Sequence, residues 1–227
     1  MKYLVVIPAR GGSKGIPHKN IYPIAGKPLL GYAIECMQQA KVNYDMVVST
    51  DDAEIEKVAN TYAHVTVIQR PPEISNDTAK TEDALIHALQ YMEQHAGKTY
   101  DAVVTLQPTS PLRKPETVEK FLKKFEEKQN RYDAQLTLSA NYSDFWVERE
   151  DGEYGRLFPN APRRRQERQP LYVENSCLYV TKTQSLMDTR LVLGHKCAGY
   201  VIDEVEAIDI NEWSDIAIAE GYLEKER

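Results

Sequence analysis

Residues 7–20 read IPARGGSKGIPHKN, and this stretch decides how the rest of the chain is interpreted. It follows a short apolar run at residues 3–7 and precedes a helical pattern that starts near Pro28. The predicted order is therefore a strand, a glycine-rich loop and a helix. A loop in that place lies at the carboxyl end of its strand, where open α/β sheets bind their ligands.

The loop combines three glycines with three cationic side chains. Gly11, Gly12 and Gly15 let the backbone turn tightly and approach a ligand, with several N–H groups directed inward. The cations are Arg10, Lys14 and Lys19. Positive charge beside free N–H donors suits a triphosphate. The spacing is neither the P-loop pattern GxxxxGK[ST] nor the dinucleotide pattern GxGxxG. On these grounds alone, a solvated basic surface loop is the alternative.

Composition limits the class of protein. The 227 residues fit one sizeable domain with a small insertion, expected to span residues 1–227. With 42% hydrophobic and 27% charged residues and no long apolar run, we expect a soluble globular protein without membrane association. The first residues enter a strand, so no signal peptide is expected. A formal net charge of −6 argues against nucleic acid as a partner.

The three cysteines, Cys36, Cys177 and Cys197, are scattered and odd in number. They fit neither a disulfide framework nor a zinc site. The histidines are also dispersed, so no His/Ser or Cys/His pair for nucleophilic catalysis is apparent. We therefore expect reduced, buried thiols and a cytoplasmic location.

Strand-like and helix-like segments alternate along the chain. The segments with helical spacing are residues 29–37, 53–60, 84–92, 118–125 and 216–223, and the strand-like ones are 46–49, 65–68, 102–106 and 133–139. This rhythm predicts an α/β fold of three layers, with a mainly parallel sheet and right-handed crossovers.

Two loops follow strands at the same edge of the predicted sheet. In residues 70–81, RPPEISNDTAKT, two prolines favour an irregular loop, and Thr81 is the better candidate for the N-cap of the next helix. An ordinary capped loop and a binding loop are equally compatible with that pattern. Residues 106–113, LQPTSPLR, predict a stiff turn with exposed hydroxyl groups. Arg113 either lines a pocket or has a structural role at the sheet edge.

The regular rhythm breaks after residue 140. Residues 141–157 are aromatic and polar, and the Asp151–Gly152 pair predicts a small hairpin. Exposed aromatic side chains there would suit a subunit interface, and a monomeric flap is the alternative. Four arginines follow within residues 163–168. Such a cluster is usually solvated surface, but guanidinium groups also bind carboxylates bidentately.

Residues 7–20 closely resemble the signature of the acylneuraminate cytidylyltransferases, and residues 106–113 match the family's LQPTSPLR motif without a change. Residues 165–179 resemble its RQ…P…NG…Y pattern, and residues 206–211 its metal-binding segment. The resemblance spans essentially the whole chain. It implies a Rossmann-like nucleotidyltransferase fold with a dimerisation arm, here residues 141–175, that reaches over the partner's site.

The activity implied by the resemblance is transfer of CMP from CTP to the anomeric hydroxyl of a nonulosonic (sialic-type) acid, in a homodimer that uses Mg²⁺ or another divalent cation. The implied nucleotide contacts are Ala9, Arg10, Gly11, Gly12, Ser13, Lys14, Lys19, Asn20, Arg70, Thr78, Ala79 and Thr81. The implied sugar contacts are Gln107, Thr109, Ser110, Arg165, Gln166, Asn175 and Tyr179. Arg10, Lys14, Lys19 and Asp209 are the implied catalytic residues, and Asp209 and Asn211 the implied metal ligands.

The chain departs from the family pattern at two positions. Ser176 stands where the family usually has glycine, which predicts a different local backbone or a bulkier pocket wall. Asn211 stands where the family has a second aspartate, so the ion is held by less charge. Asp203 or Glu204 would then contribute, or Asn211 would cap the C-terminal helix.

Three other functions remain compatible with the sequence. The first is transfer of CMP to another nonulosonic acid, such as a legionaminic or pseudaminic type. The second is a nucleotide-sugar-binding module with impaired catalysis, motivated by the residues at positions 176 and 211. The third is transfer of a different nucleotide.

Overall fold

The computed structural model describes residues 1–225, and the last two residues of the expected domain, Glu226 and Arg227, lie outside that range. The strands are β1 Tyr3–Pro8, β2 Pro23–Ile24, β3 Lys27–Pro28, β4 Tyr44–Thr50, β5 Thr66–Gln69, β6 Ala102–Leu106, β7 Ala134–Asn141, β8 Trp146–Glu148, β9 Tyr154–Arg156, β10 Leu171–Lys182 and β11 Cys197–Val201. The α-helices are α1 Leu29–Gln39, α2 Ala53–Ala59, α3 Thr81–Ala96, α4 Pro115–Lys128, α5 Thr183–Thr189 and α6 Trp213–Lys225.

A seven-stranded sheet in the order β11-β7-β10-β6-β1-β4-β5 forms the centre of the fold. Strand β1 pairs in parallel with β4 and β6, β4 with β5, and β11 with β7. Strand β10 alone in this sheet runs antiparallel to both of its neighbours. The predicted α/β class with a mainly parallel sheet is therefore confirmed.

Alternation along β1 explains why helices cover both faces of the sheet. Leu4 and Val6 pack with apolar residues of α3 on one face. Val5 and Ile7 pack with residues of α1 and α4 on the other. All four side chains are fully buried. Because successive side chains of a strand point to opposite faces, an apolar run buried on both sides requires three layers.

Two local predictions need correction. Thr81 is the first helical residue of α3 and not its N-cap; Lys80 occupies the cap position and makes no side-chain capping bond. Residues 206–211 form a loop and not the end of a strand. Their apolar alternation has another cause, because Ile210 is buried against α6 in a small core with Ile216 and Ala219.

The predicted hairpin at residues 141–157 is present as the pair β8 and β9, separate from the main sheet. Gly152 adopts a left-handed φ of 81° in its turn, which glycine tolerates without steric cost. Among residues 1–225, no helix has the length and apolar character needed to cross a membrane.

Candidate active site at the carboxyl ends of the central strands

The glycine-rich loop, residues 9–20, follows β1 and is fixed by the neighbouring strand and its own side chains. The N–H of Ala9 donates to Ser49 O at 2.9 Å, and the N–H of Gly11 donates to Asp51 Oδ1 at 2.9 Å. The buried amide of Asn20 donates to Arg10 O at 2.9 Å and closes the loop. Asn20 therefore has a structural role in addition to any contact with a nucleotide.

The glycines are required by packing within the chain more than by unusual backbone angles. A Cβ atom at Gly11 would lie 2.5 Å from Asp52 Oδ2, and one at Gly15 would collide with the carbonyl oxygen of Asn211. Neither residue adopts a left-handed φ. At Gly12 a Cβ would meet open space, so only that glycine is free to approach a ligand without contact to its own chain.

Arg10 and Lys14 share one carboxylate, that of Asp77. Arg10 Nη1 donates to Asp77 Oδ1 at 3.1 Å and to Asn76 O at 3.1 Å, and Lys14 Nζ lies 3.0 Å from Asp77 Oδ2. The hydrogen bond from Lys14, with a further contribution from Arg10, holds the pKa of Asp77 below its ordinary value. Sequence reasoning missed Asp77, although an acidic residue in the loop beyond β5 was a visible signal.

Lys19 connects the glycine-rich loop to the loop before α6. Its Nζ donates to Ile210 O at 2.7 Å and lies 3.5 Å from Asn211 Oδ1. Burial lowers the pKa of Lys19, and the nearby carboxylates of Asp209 and Asp215 oppose that shift. The ammonium group is thus half-buried and close to the carboxylate predicted to hold a metal ion.

The predicted metal ligands are adjacent, but Asn211 acts as a donor. Asn211 Nδ2 donates to Asp209 Oδ2 at 2.7 Å, so its amide oxygen faces Lys19. The single carboxylate of Asp209 fits Mg²⁺ of the kind that retains waters and substrate phosphates as its other ligands. Among residues 1–225, no cluster of three His, Cys, Asp or Glu residues has the arrangement of a metal site.

The residues proposed as alternatives at the metal site have other contacts in the structure. The side chain of Asn211 contacts Asp209 and Lys19, and Asp215 Oδ2, in the first turn of α6, accepts the N–H groups of Asn211 and Glu212 at 2.8 and 2.9 Å. Asp203 Oδ1 accepts from Val205 N at 2.8 Å within a turn. Glu204 lies 3.9 Å from Arg165 and thus belongs to another region.

The loop after β5 is anchored to the sheet by Arg70. This buried guanidinium donates to Ser49 O at 2.7 Å and to Ser49 Oγ at 3.1 Å, and burial lowers its pKa. Further along, Asn76 Oδ1 accepts from the N–H and the hydroxyl group of Thr78 at 3.0 and 2.7 Å. Ala79 N donates to Asn76 O at 3.2 Å. The predicted nucleotide contacts in this loop therefore also hold its turn together.

Arg113 has the structural role that the sequence left open. It is buried, and its guanidinium donates to Cys177 O at 2.6 Å and to Gln107 O at 3.0 Å. It thereby joins the end of β6 to the antiparallel strand β10. The side chain of Gln107 itself makes no hydrogen bond to residues 1–225 and is available to a ligand.

The remaining part of residues 106–113 packs against the loop before α6. The N–H of Ile210 donates to Thr109 O at 2.8 Å. Ser110 is buried, so the predicted exposure of its hydroxyl group is wrong. A second tie is unpredicted: the buried carboxylate of Glu206 accepts from Lys114 N at 3.0 Å and Thr117 Oγ1 at 2.9 Å, at the start of α4. These bonds position the Asp209 loop beside the Gln107 turn.

Strand β10 contains an irregularity between Glu174 and Tyr179, where the predicted sugar contacts lie. Ser176 adopts a left-handed φ of 57°, the conformation that glycine favours, so the substitution keeps a backbone suited to glycine. The Tyr179 hydroxyl donates to Glu174 and lies 3.1 Å from Ser176 Oγ. Burial and the Glu174 carboxylate raise the pKa of Tyr179, which keeps the hydroxyl protonated.

Both polar atoms of the Asn175 amide have partners within the protein. Its Oδ1 accepts from Thr137 Oγ1 at 2.7 Å and Cys177 N at 3.2 Å, and its Nδ2 donates to Ser139 Oγ at 3.0 Å. The side chain therefore ties β7 to β10 at the irregularity. The second N–H of Nδ2 is the one donor of this amide that has no partner within residues 1–225.

Arg165 and Gln166 lie on the arm, in the exposed 3₁₀ turn Arg165–Glu167. Arg165 lies over the ring of Tyr142 at 5.8 Å and beside Glu204, at the edge of an open cleft of about 510 Å³. Its contacts within residues 1–225 do not include the glycine-rich loop. The structure thus brings together the predicted phosphate, metal and Gln107 groups and leaves the arm residues apart.

Comparisons with known proteins show the family and the fold of this chain. The sequence profile described as Cytidylyltransferase matches residues 4–198. The chain is 26% identical over 221 residues to the N-acylneuraminate cytidylyltransferase of Escherichia coli O18:K1:H7, covering 96% of this chain and 51% of that protein. It is 28% identical over 228 residues to the CMP-N,N'-diacetyllegionaminic acid synthase of Legionella pneumophila, covering 99% of this chain and 97% of the relative.

The fold is also similar to that of a solved structure, CMP:2-keto-3-deoxy-manno-octonic acid synthetase complexed with CTP, with a TM-score of 0.71, 19% identity and full coverage of both chains. The chain spans about half the length of the Escherichia coli relative. The family profile, however, covers well over half of this chain. This chain is therefore a member of the cytidylyltransferase family of enzymes.

Proposed function

We propose that this chain transfers CMP from CTP to the anomeric hydroxyl of a nonulosonic acid and releases pyrophosphate. The names of its relatives, a sialic-type and a legionaminic-type cytidylyltransferase, support this substrate class. The observation that carries the proposal is the position of Arg10, Lys14 and Lys19 around a loop at the carboxyl end of the central strand β1.

In the proposed reaction the anomeric oxygen attacks the α-phosphorus in line. A new P–O bond forms as the bond to the pyrophosphate oxygen breaks, and the anomeric proton is lost to solvent. Such a transfer depends on positioning and charge neutralisation more than on covalent chemistry by the protein. Arg10 and Lys14 would neutralise the phosphates, with the N–H of Gly12 and the hydroxyl group of Ser13 as further donors, since the N–H of Ser13 donates to Gly11 O at 2.9 Å.

Lys19 and Asp209 would act together beside the α-phosphate. The half-buried ammonium of Lys19 stabilises negative charge more strongly than an exposed one, because less water screens it. Asp209 would hold Mg²⁺, which supplies a Lewis acid at the phosphate and stabilises the leaving group. Asn211 orients the Asp209 carboxylate through its 2.7 Å hydrogen bond.

We assign the remaining predicted contacts by location. Ala9, Asn20, Arg70 and the turn at residues 78–81 would surround the base and ribose. Gln107, with its free amide, would bind the sugar acid with Tyr179, and Thr109 and Ser110 would shape that pocket. We further infer a cytoplasmic enzyme, supported by three unpaired thiols within residues 1–225.

The arm, residues 141–175, would form a homodimer interface. Its aromatic side chains are unusually exposed: Trp146 by 52%, Tyr154 by 65% and Tyr172 by 56%. Large exposed apolar groups grouped on one surface are typical of interfaces. A dimer would also give Arg165 and Gln166 a route to the sugar in the partner subunit's site.

This function is tested by measuring the release of pyrophosphate from CTP in the presence of Mg²⁺ and, in turn, each member of a panel of sialic, legionaminic and pseudaminic acids. Parallel reactions with UTP, ATP and GTP test the choice of nucleotide. We expect turnover with CTP and at least one nonulosonic acid. Turnover that requires a nucleotide other than CTP would contradict the proposal. Absence of turnover with every sugar acid of the panel would also contradict it.

A second candidate is a nucleotide-sugar-binding module with impaired catalysis. It is favoured by one observation: Asn211 contributes a hydrogen-bond donor where a second carboxylate would strengthen the metal site. The same panel separates the two candidates. Tight binding of a CMP-sugar without pyrophosphate release would support the binding module.

A further inference from the structure

The carboxylate of Asp77 lies between Arg10 and Lys14, the two cations that the proposed function assigns to the triphosphate. Its Oδ1 accepts from Arg10 Nη1 at 3.1 Å, and its Oδ2 lies 3.0 Å from Lys14 Nζ. Each oxygen contacts a different cation, as two oxygens of a phosphate group would. The two cations lower the pKa of Asp77, so it remains charged under the conditions in which CTP is charged.

Asp77 is delivered to these cations by a turn that is fixed locally. The side chain of Asn76 accepts from the N–H and hydroxyl groups of Thr78, and the carbonyl oxygen of Asn76 accepts from Arg10 at 3.1 Å. The turn lies in the loop between β5 and α3, and none of residues 75–80 belongs to an apolar cluster of the core. Displacement of the Asp77 side chain therefore breaks no contact of the core.

The two ion pairs are weak enough to be exchanged. The exposed fractions of the side chains are 55% for Asp77, 75% for Lys14 and 33% for Arg10, so water reaches both pairs and the Lys14 pair most. Exposed pairs contribute little because water competes for both partners. A polyphosphate carries several negative charges and would outcompete a single carboxylate for the same two cations.

We propose that Asp77 is an internal counter-anion, which occupies Arg10 and Lys14 until a polyphosphate displaces it. The inference rests on the proposed function only in taking that polyphosphate to be the one carried by CTP. The carboxylate lowers the apparent affinity for polyphosphate, because binding must first break its two ion pairs. After transfer, its return to the same cations assists the departure of pyrophosphate.

The test is calorimetric titration of inorganic pyrophosphate into the full chain at low ionic strength, without divalent cations. The variants are Asp77→Asn, which removes the charge, and Asp77→Glu, which retains it. Glu127→Gln is the matched control, since Glu127 is also exposed and paired to a lysine, on α4. We expect Asp77→Asn to bind pyrophosphate about three- to tenfold more tightly than the wild type. The other two variants should remain within about twofold of it.

Unchanged or weaker binding by Asp77→Asn would overturn the inference, and so would an equal gain in Glu127→Gln, which would indicate a general effect of net charge. Failure of both the wild type and Asp77→Asn to bind pyrophosphate would also overturn it. Turnover of CTP in the same preparation would then leave the proposed function intact. The predicted binding pattern without any turnover would instead uphold the role of Asp77 and contradict the proposed function.

Discussion

The glycine-rich loop and the arm are both irregular segments, yet they are held in different ways. Residues 9–20 are bound to neighbouring strands by Ser49 and Asp51 and to the loop before α6 by Lys19. The last residues of the arm pair with β7 in the main sheet, but the part at residues 142–170 is held mainly by its own residues, since Arg156 and Arg168 both contact Asp144. The loop geometry is thus complete within one subunit, whereas the arm leaves large apolar side chains exposed.

This difference separates the proposed site into a phosphate-binding side, formed by the glycine-rich loop, and a sugar-binding side that includes the arm. The proposed phosphate-binding side depends on the sheet and on the loop before α6. The proposed sugar-binding side would depend on Arg165, which lies on the arm and apart from the glycine-rich loop. Substitutions in the two regions should therefore affect different steps.

The largest effect is expected at the loop. Lys19→Ala should lower kcat/KM for CTP by about 10²- to 10³-fold, because it removes a half-buried charge beside the reacting phosphate. Steady-state kinetics would measure this, with a thermal melt to establish that the variant folds. Lys124→Ala, on the exposed side of α4, is the control and should leave kcat/KM for CTP unchanged. A Lys19→Ala rate close to that of the wild type would remove Lys19 from the mechanism.

The arm should show the second effect. The double change Trp146→Asp and Tyr172→Asp places charge in the proposed interface and should convert a dimer into a monomer, as measured by light scattering. The KM for the sugar acid should rise by about tenfold or more, while CTP binding stays unchanged. Ile218→Asp, which is 50% exposed on α6, is the control for an apolar surface elsewhere.

A wild-type protein that is monomeric and fully active at working concentration would contradict the interface. A loss of CTP binding in the double variant would show instead that the two regions are coupled.

The third and smaller effect is an increase in the affinity for Mg²⁺ at the proposed metal site. Asn211→Asp adds a second carboxylate next to Asp209 and should tighten binding of Mg²⁺ by several-fold to about tenfold. Calorimetric titration of the free protein gives the affinity independently of turnover. The same change in an Asp209→Ala background should restore much less affinity. Equal affinity for Mg²⁺ in Asn211→Asp and the wild type would argue against this position as a ligand.

The smallest effect concerns the internal support of the arm. The hydrogen bond from Arg156, with further charge from Arg168, lowers the pKa of Asp144 below its ordinary value of 3.8. The contribution of this carboxylate to arm stability is therefore present above that value and is lost as the pH falls through the lower folded pKa. We expect a local acid transition below about pH 4 in Trp146 fluorescence, measured in a Trp213→Phe background.

Asp144→Asn is the comparison for that transition. In this variant the Trp146 fluorescence at neutral pH should already be that of the wild-type arm at acid pH. It should not change further as the pH is lowered. An identical acid midpoint with and without the Asp144 carboxylate would exclude it as the cause.

Much of the sheet could be predicted because a buried strand appears in the sequence as a short, mostly apolar run. Residues 102–106 read AVVTL, a run that is apolar except for Thr105, and the strand has the predicted bounds. The same reasoning failed at residues 206–211, where apolar alternation arises from packing of Ile210 under α6 without any strand pairing. Periodicity reports which side chains are buried and does not say what covers them.

The sequence predicted which residues form the proposed site more completely than it predicted which of them contact each other. The positions of Arg10, Lys14 and Lys19 after the first strand were visible in the sequence, and so was the adjacency of Asp209 and Asn211. The partner of Arg10 and Lys14 was missed because Asp77 is more than sixty residues away in the chain. The role of Arg113 needed the position of Cys177, on a strand that runs against the others.

The sequence by itself determined the α/β rhythm, the placement of the binding loops after strands and the types of charge in each loop. Each of these follows from patterns a few residues long, since burial and backbone preference act locally. Tertiary structure alone decided that Asp77 faces Arg10 and Lys14, that Arg113 joins β6 to β10, and that the arm stands apart from the glycine-rich loop. Those pairings join residues far apart in the chain, and only the packing of the sheet brings them within hydrogen-bonding distance.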